Sequence, residues 1–258
     1  MKYKLPSYII IGAMKCGTSG LYHNLVQHPY IQPAKCKELR FWSNDSKFKQ
    51  GMKYYKTFFN PCKNNQITGE ASPSYILYEK VARRIELIKN HPFAEEFSNV
   101  KLIVMLRHPA ERAFSQYKHY ILNCKRFNRG SGDIDFETFL KVYNTASFKS
   151  NAFWMGKDVL ERSIYINYLR FWFKYLPKEQ FHIIKSEDYF KNTQEEVNKV
   201  FNFLKLDNHQ VTIKNPNRSK NPLKLKKETK KNLNNFFIDY NNELYKLLNR
   251  DFGWENEV

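Results

Sequence analysis

The sequence predicts an α/β fold: one domain, residues 1–258, with a central, mostly parallel sheet flanked by helices and a P-loop-like turn after the first strand. Three observations predict it. The apolar run Tyr8–Ile11 ends in Gly12, a lysine-bearing loop and then Gly17-Thr18, after which a helical pattern begins. A second run, Lys101–Leu106, is continuous rather than alternating, as expected of a strand buried on both faces, and it too leads into a helix. Third, 258 residues are enough to bury one sizeable core.

The elements follow in order. A strand is expected near 7–12. The first helix runs from Thr18 to Gln27, with Leu21 and Leu25 four apart, and stops before Pro29. A strand near 66–70 precedes a helix over 77–90. The strand 101–106 is followed by a helix over 109–122, where Pro109 suits the first turn because its missing N–H would be unpaired there anyway. Arg126–Asp135, rich in Gly, Asn and charge, reads as a loop. Leu160, Ile164, Tyr168 and Trp172 recur every four residues and predict a helix over 158–175, with that stripe as core packing. A strand at 181–185 and a helix over Glu195–Leu206 come next. Leu233, Phe236, Phe237, Tyr240, Leu244, Leu247 and Leu248 trace one face of a terminal helix over 226–249. The charge run Lys224–Lys231 reads as its solvated start, or else as an acceptor-binding patch. No internal repeat is visible.

Two of these junctions carry chemistry. Glycines let backbone amides approach an anion closely, and a helix N-terminus adds partial positive charge, so Gly12–Gly20 has the makings of a phosphate cradle. It is not a Walker A loop, because Lys15 precedes Gly17 and no lysine follows it. The plain alternative is an ordinary strand-to-helix turn with a solvated lysine. Arg107 stands at the carboxyl end of a strand, where ligands of open α/β sheets bind, and Ser115 lies about two helical turns further on. Here the plain alternative is a proline-capped helix with surface charges.

Gly-x-x-Lys-x-Gly-Thr after a strand resembles the 5′-phosphosulfate loop of sulfotransferases that use 3′-phosphoadenosine-5′-phosphosulfate (PAPS). Arg107-x-Pro-x-x-Arg-x-x-Ser115 resembles the 3′-phosphate site of the same family. The resemblance covers nearly the whole chain and is closest to the carbohydrate, heparan sulfate-type members and their bacterial relatives. It is carried further by Lys37-Glu38-Leu39-Arg40-Phe41-Trp42, Thr68-Gly69-Glu70-Ala71-Ser72-Pro73-Ser74-Tyr75, Leu160-Glu161-Arg162-Ser163-Ile164-Tyr165, Phe181–Asp188, Asn217–Lys220 and Arg250–Trp254. Ser19 stands where many members have a second threonine, which keeps the hydroxyl. The paired cysteines that some Golgi members carry near the closing loop are absent.

The resemblance implies sulfonate transfer from PAPS to a hydroxyl or amine of an acceptor, a carbohydrate or other hydroxyl compound, by in-line displacement. It implies that Gly12, Lys15, Cys16, Gly17, Thr18, Ser19 and Gly20 hold the 5′ side of the nucleotide. Arg107 and Ser115 would grip the 3′-phosphate, and Arg218, Ser219, Lys220 and Asn221 would close over it. Lys15 would stabilise the leaving oxygen and Glu70 would be the general base. His23, His108 and His119 are rival bases, because the cytosolic small-molecule branch uses histidine. Lys37, Arg40 and Arg162 are the expected acceptor contacts; in the plain alternative Phe41 and Trp42 pack on the core while their basic neighbours are solvated. No metal is expected, since the acidic residues lack ligand spacing.

Composition agrees without deciding. The formal charge is +18, from 43 Lys+Arg against 25 Asp+Glu, which suits anionic ligands but also plain solubility. No zinc-finger spacing, aromatic nucleic-acid motif or basic tail is present, so nucleic acid is not the expected partner. Cys16, Cys36, Cys62 and Cys124 are scattered without C-x-x-C spacing and read as free thiols of a reducing compartment. Neither a signal peptide nor a run of about 20 apolar residues is visible, so a cytoplasmic protein without stable membrane insertion is expected, the alternative being a domain trimmed of the N-terminal anchor that Golgi members carry. The competing readings are a P-loop kinase or other nucleoside phosphotransferase, and a non-enzymatic binder of anionic glycans or nucleic acid.

Overall fold

The computed structural model describes residues 2–89, 95–127, 134–143, 159–214 and 222–256. Among them, five strands form one sheet: β1 (Tyr8–Gly12), β2 (Ile31–Pro33), β3 (Ile67–Ala71), β4 (Lys101–Leu106) and β5 (Phe181–Lys185). The spatial order is β2-β3-β1-β4-β5 and every pairing is parallel. β1 is therefore central and buried at all five positions, which accounts for its unbroken apolar run. In register, Ile9 pairs with Glu70 of β3 and with Leu102 of β4. The Tyr8 ring lies so close over Gly69 that a Cβ there would stand 2.3 Å from it, so only glycine fits.

The described α-helices are α1 (Thr18–Leu25), α2 (Asp45–Phe48), α3 (Gly51–Lys56), α4 (Glu79–Lys89), α5 (Pro109–Arg126), α6 (Phe136–Tyr143), α7 (Tyr165–Tyr175), α8 (Ser186–Lys191), α9 (Thr193–Phe203) and α10 (Lys227–Leu248). Residue contacts divide the chain into two compact units. The first joins Met1–Leu106 to Tyr168–Asn217 and holds the sheet, with α1 packed on β3 and α9. Its core includes Trp172, whose indole donates to the Ile76 carbonyl at 3.0 Å. The second joins Arg107–Asn167 to Arg218–Val258; there α5 packs against α10, and Phe252 meets Trp254 with ring centroids 4.6 Å apart.

Element types agree with the sequence reading, and several boundaries move. The first helix ends at Leu25 rather than Gln27, and the helix from Pro109 continues to Arg126. The helix expected over 77–90 begins at Glu79, after a 3-10 turn at Tyr75–Leu77 and an extended Tyr78. The helix expected over 158–175 is interrupted: a 3-10 turn at Glu161–Ser163 and a non-helical Ile164 precede α7. The cause is Ser163, whose hydroxyl donates to the Pro109 carbonyl and accepts from Arg112 Nε, fixing the turn from outside the helix. On α10 the buried positions include Leu233, Phe237 and Leu244, whereas Phe236 (45%) and Tyr240 (37%) are exposed, so the apolar stripe is narrower than its sequence suggests. β2 escaped notice because it has three residues and ends in Pro33, as an edge strand allows.

Candidate functional site

The first unit carries the glycine loop. β1 ends at Gly12, and the chain turns through Lys15, with φ 72°, and Gly17, with φ 100°, into α1. Left-handed backbone costs a non-glycine residue about 1–2 kcal/mol, so Lys15 is held in a conformation that it would not choose alone. The loop is pinned on two sides: Ala13 N–H donates to the Met105 carbonyl at 2.8 Å, and Ser186 Oγ donates to the Cys16 carbonyl at 2.8 Å. Gly17 is the cap of α1 and brings no side chain to the first-turn amides. A Cβ there would meet Phe190 at 2.9 Å, on top of the positive φ. Lys15, Gly17 and Ser19 are part-exposed; Cys16 is fully buried, with its N–H bonded to the Ala13 carbonyl and its carbonyl to Ser186, so it shapes the loop and presents no surface to a ligand.

Glu70 sits near the carboxyl end of β3 with no exposed surface. Tyr55 of α3 donates to Oε1 at 2.6 Å, Ser72 to Oε2 at 2.7 Å, and Tyr75 to Oε1 at 3.2 Å. Burial pushes this carboxyl up to about 7, although the hydroxyls and Lys47 favour its charged form. Two of the hydroxyls also tie down the segment before α2: Ser72 Oγ accepts the Arg40 N–H at 3.2 Å, and Tyr75 Oη accepts the Trp42 N–H at 3.3 Å. Phe41 and Trp42 are fully buried, which is the packing role weighed for them from the sequence. Lys37 and Arg40 both pair with Glu38, at 3.1 and 3.0 Å. Burial raises the Glu38 pKa, but these two cations outweigh it and hold it low. Glu38 and Arg40 are left-handed as well, with φ 63° and 53°. Among the rival bases, His23 is lowered by burial, then by Lys37 and Lys214.

The second unit begins with Arg107, directly after β4. Tyr165 clamps its backbone, donating to the Arg107 carbonyl at 2.8 Å, and its guanidinium bonds Glu111 at 3.2 Å. Ser115 follows on α5, part-exposed. Arg112, between them, has a fully buried side chain that bonds Ser163, Gln116 (2.9 Å) and the Val159 carbonyl, so it braces the turn at Glu161–Ser163. Arg162 is 8% exposed in that turn, with little surface to offer an acceptor. His108 is buried and lowered to about 4, by burial first and Lys230 next, which makes it a weak base. Arg218, Ser219, Lys220 and Asn221, and residues 128–133 of the Arg126–Asp135 loop, lie outside the described residues.

A strand, a glycine-flanked loop with a forced lysine, and a buried carboxylate on the neighbouring strand now stand together in one unit. The description "Sulfotransferase domain" fits residues 5–251 of the chain. The chain belongs to the sulfotransferase family. The membrane-associated sulfotransferase kil1 of Dictyostelium discoideum is 26% identical over 98% of this sulfotransferase chain and 67% of that protein. The heparan sulfate glucosamine 3-O-sulfotransferase 5 of Mus musculus is 32% identical over 79% of this chain and 54% of its own length, so the chain spans about half of that relative. A crystal structure of a sulfotransferase from Alicyclobacillus acidocaldarius shares the fold, with TM-score 0.75 and 24% identity over 97% of this chain and 98% of that one.

The sequence named Lys15 and Glu70 but missed what holds them. Tyr55 is 15 residues from Glu70 and signals nothing by spacing. Ser186 lies 170 residues from the loop it pins. Glu38 and Glu111 were in plain view, one between Lys37 and Arg40, the other four residues past Arg107 on a helix, where ion pairs form.

Proposed function

We propose that this sulfotransferase moves a sulfonate from PAPS to a hydroxyl, or an amine, of a carbohydrate acceptor by in-line displacement. The observation that carries it is the loop after β1: it is pinned at Ala13 and Cys16, Lys15 is held left-handed in it, and Gly17 opens α1 without a side chain that would cap the first-turn amides, an arrangement suited to an anion. The heparan sulfate relatives support a sugar acceptor. PAPS supplies the activated sulfonate. The acceptor oxygen bonds to sulfur as the sulfur–phosphate oxygen bond breaks. Lys15 and the loop amides neutralise the charge left on the phosphate oxygen. Glu70 takes the acceptor proton, with its carboxylate oriented by the three hydroxyls that donate to it. Arg107 and Ser115, with the 218–221 loop, grip the 3′-phosphate. Lys37 and Arg40, released in part from Glu38, meet the acceptor; Arg162, 8% exposed, keeps at most a supporting part in its own turn.

A cytoplasmic location is our reading of four free cysteines, three of them buried; fractionation of the native host checks it. The reaction is tested by incubating the chain with PAPS and a library of sugar hydroxyls and amines, reading mass gain by one sulfonate. Wild type should yield sulfated product and 3′-phosphoadenosine 5′-phosphate, and Lys15→Ala should yield neither at a comparable rate. Phosphate transfer from ATP and Mg²⁺ without PAPS turnover would put the phosphotransferase reading in its place.

A further inference from the structure

Glu111, Ser115 and Lys118 succeed one another at spacings of four and three and so share one face of α5, and Arg107, two residues before the helix, reaches that face through its 3.2 Å bond to Glu111. Helical side chains lean toward the N-terminus, which carries the Lys118 ammonium back over the preceding turn. Its Nζ stands 4.9 Å from the centre of the Phe114 ring, consistent with that lean. The Lys118 pKa is lowered, by burial first and by Arg107 second, with Glu111 opposing. Two cations therefore share this face with one carboxylate, and that carboxylate is bonded to Arg107. Like charges held together with part of their hydration removed are stabilised by an anion of higher charge than one carboxylate.

We propose that Lys118 is a third ligand of the nucleotide 3′-phosphate, beside Arg107 and Ser115, and a determinant of selectivity for 3′-phosphorylated adenosine nucleotides. The proposal rests on the reading of Arg107 and Ser115 as the 3′-phosphate grip. The three side chains play different parts. Arg107 offers a planar fork, Ser115 a single hydroxyl, and Lys118 a compact charge that reaches whichever phosphate oxygen the other two leave open. The Phe114 ring steadies the ammonium without neutralising it.

Calorimetry on the full chain with 3′-phosphoadenosine 5′-phosphate and with AMP tests this. Wild type should prefer the 3′-phosphorylated nucleotide. Lys118→Met should weaken that nucleotide about tenfold, the effect of losing one charge-assisted contact, and leave AMP unchanged. Lys118→Arg should restore most of the difference. Equal weakening of both nucleotides would make Lys118 a packing residue and overturn the proposal. So would a preference that survives intact in Lys118→Met. A wild type that binds both nucleotides equally would instead remove the 3′-phosphate grip on which the proposal stands.

Discussion

Burial and hydrogen bonding pull in opposite directions on Glu70, and burial prevails, leaving its pKa at about 7. A base must be ionised, so turnover should fall on the acid side of roughly neutral pH. Tyr55 donates its 2.6 Å bond to the charged form. Tyr55→Phe removes that support while burial remains, with Lys47, Tyr75 and Tyr22 the other titratable groups facing the carboxylate. The acid limb of kcat/KM should therefore move to higher pH, and the plateau should change much less. Glu70→Gln should lose about 10²–10⁴ in kcat with nucleotide binding preserved. A Tyr55→Phe limb superimposed on wild type would mean that Glu70 is not the titrating base. Stability runs the opposite way with pH. The folded carboxyl binds its proton more tightly than a solvated glutamate, whose pKa is 4.5, so its contribution is complete below that pH and is lost as pH rises through about 7. The melting temperature of wild type relative to Glu70→Gln should decline across that window.

At the scale of elements, α5 shows what a motif cannot say about its own members. Arg107, Arg112 and Ser115 belong to one spaced pattern, yet Arg107 and Ser115 are part-exposed while Arg112 has no exposed surface and serves the turn at Glu161–Ser163. The sequence gives the spacing; which side the helix turns inward depends on partners about fifty residues away. The same turn is why the predicted helix over 158–175 begins late. Removing Arg112 should thus act on stability rather than on chemistry. Arg112→Met keeps most of the volume and relieves a buried charge, but it strips the donors from the Val159 carbonyl and the Gln116 side chain. Lost charge-assisted bonds outweigh that relief, for a net cost of about 2–3 kcal/mol read from the denaturation midpoint. A variant as stable as wild type would show the brace to be dispensable. The strands were more legible than the helix ends, because continuous apolar runs such as Ile9–Ile11 and Leu102–Leu106 signal burial on both faces without reference to any partner.

For the whole molecule, the excess of cations is a property of the chain that no single site explains. A formal charge of +18 raises the local concentration of anions and speeds their capture, and salt screens it over about 8 Å at physiological ionic strength. The succession of most elements along the chain and the family's motifs were readable because each is local. The division into two compact units was not, since it depends on Tyr168–Asn217 returning to the sheet and Arg218–Val258 to α5. The charge was readable in sum but not in arrangement, and the arrangement decides what it does for an acceptor. In the segment before α2, Glu38 holds both Lys37 and Arg40, with the three side chains 39%, 18% and 54% exposed. If the acceptor binds at Lys37 and Arg40 as proposed, that carboxylate lowers the field it meets and competes with any anionic group on it. Glu38→Gln should therefore raise kcat/KM for a sulfated or carboxylated saccharide at low salt, with the gain shrinking as salt is added. A neutral saccharide should show neither the gain nor the salt dependence, because it has no charge for the field to act on. Double substitution of Lys37 and Arg40 should reverse the effect, raising KM for the anionic acceptor while nucleotide affinity holds. If kinetics with the anionic acceptor are the same in both variants as in wild type, the acceptor binds elsewhere, and the basic start of α10 from Lys227 is the next surface to change.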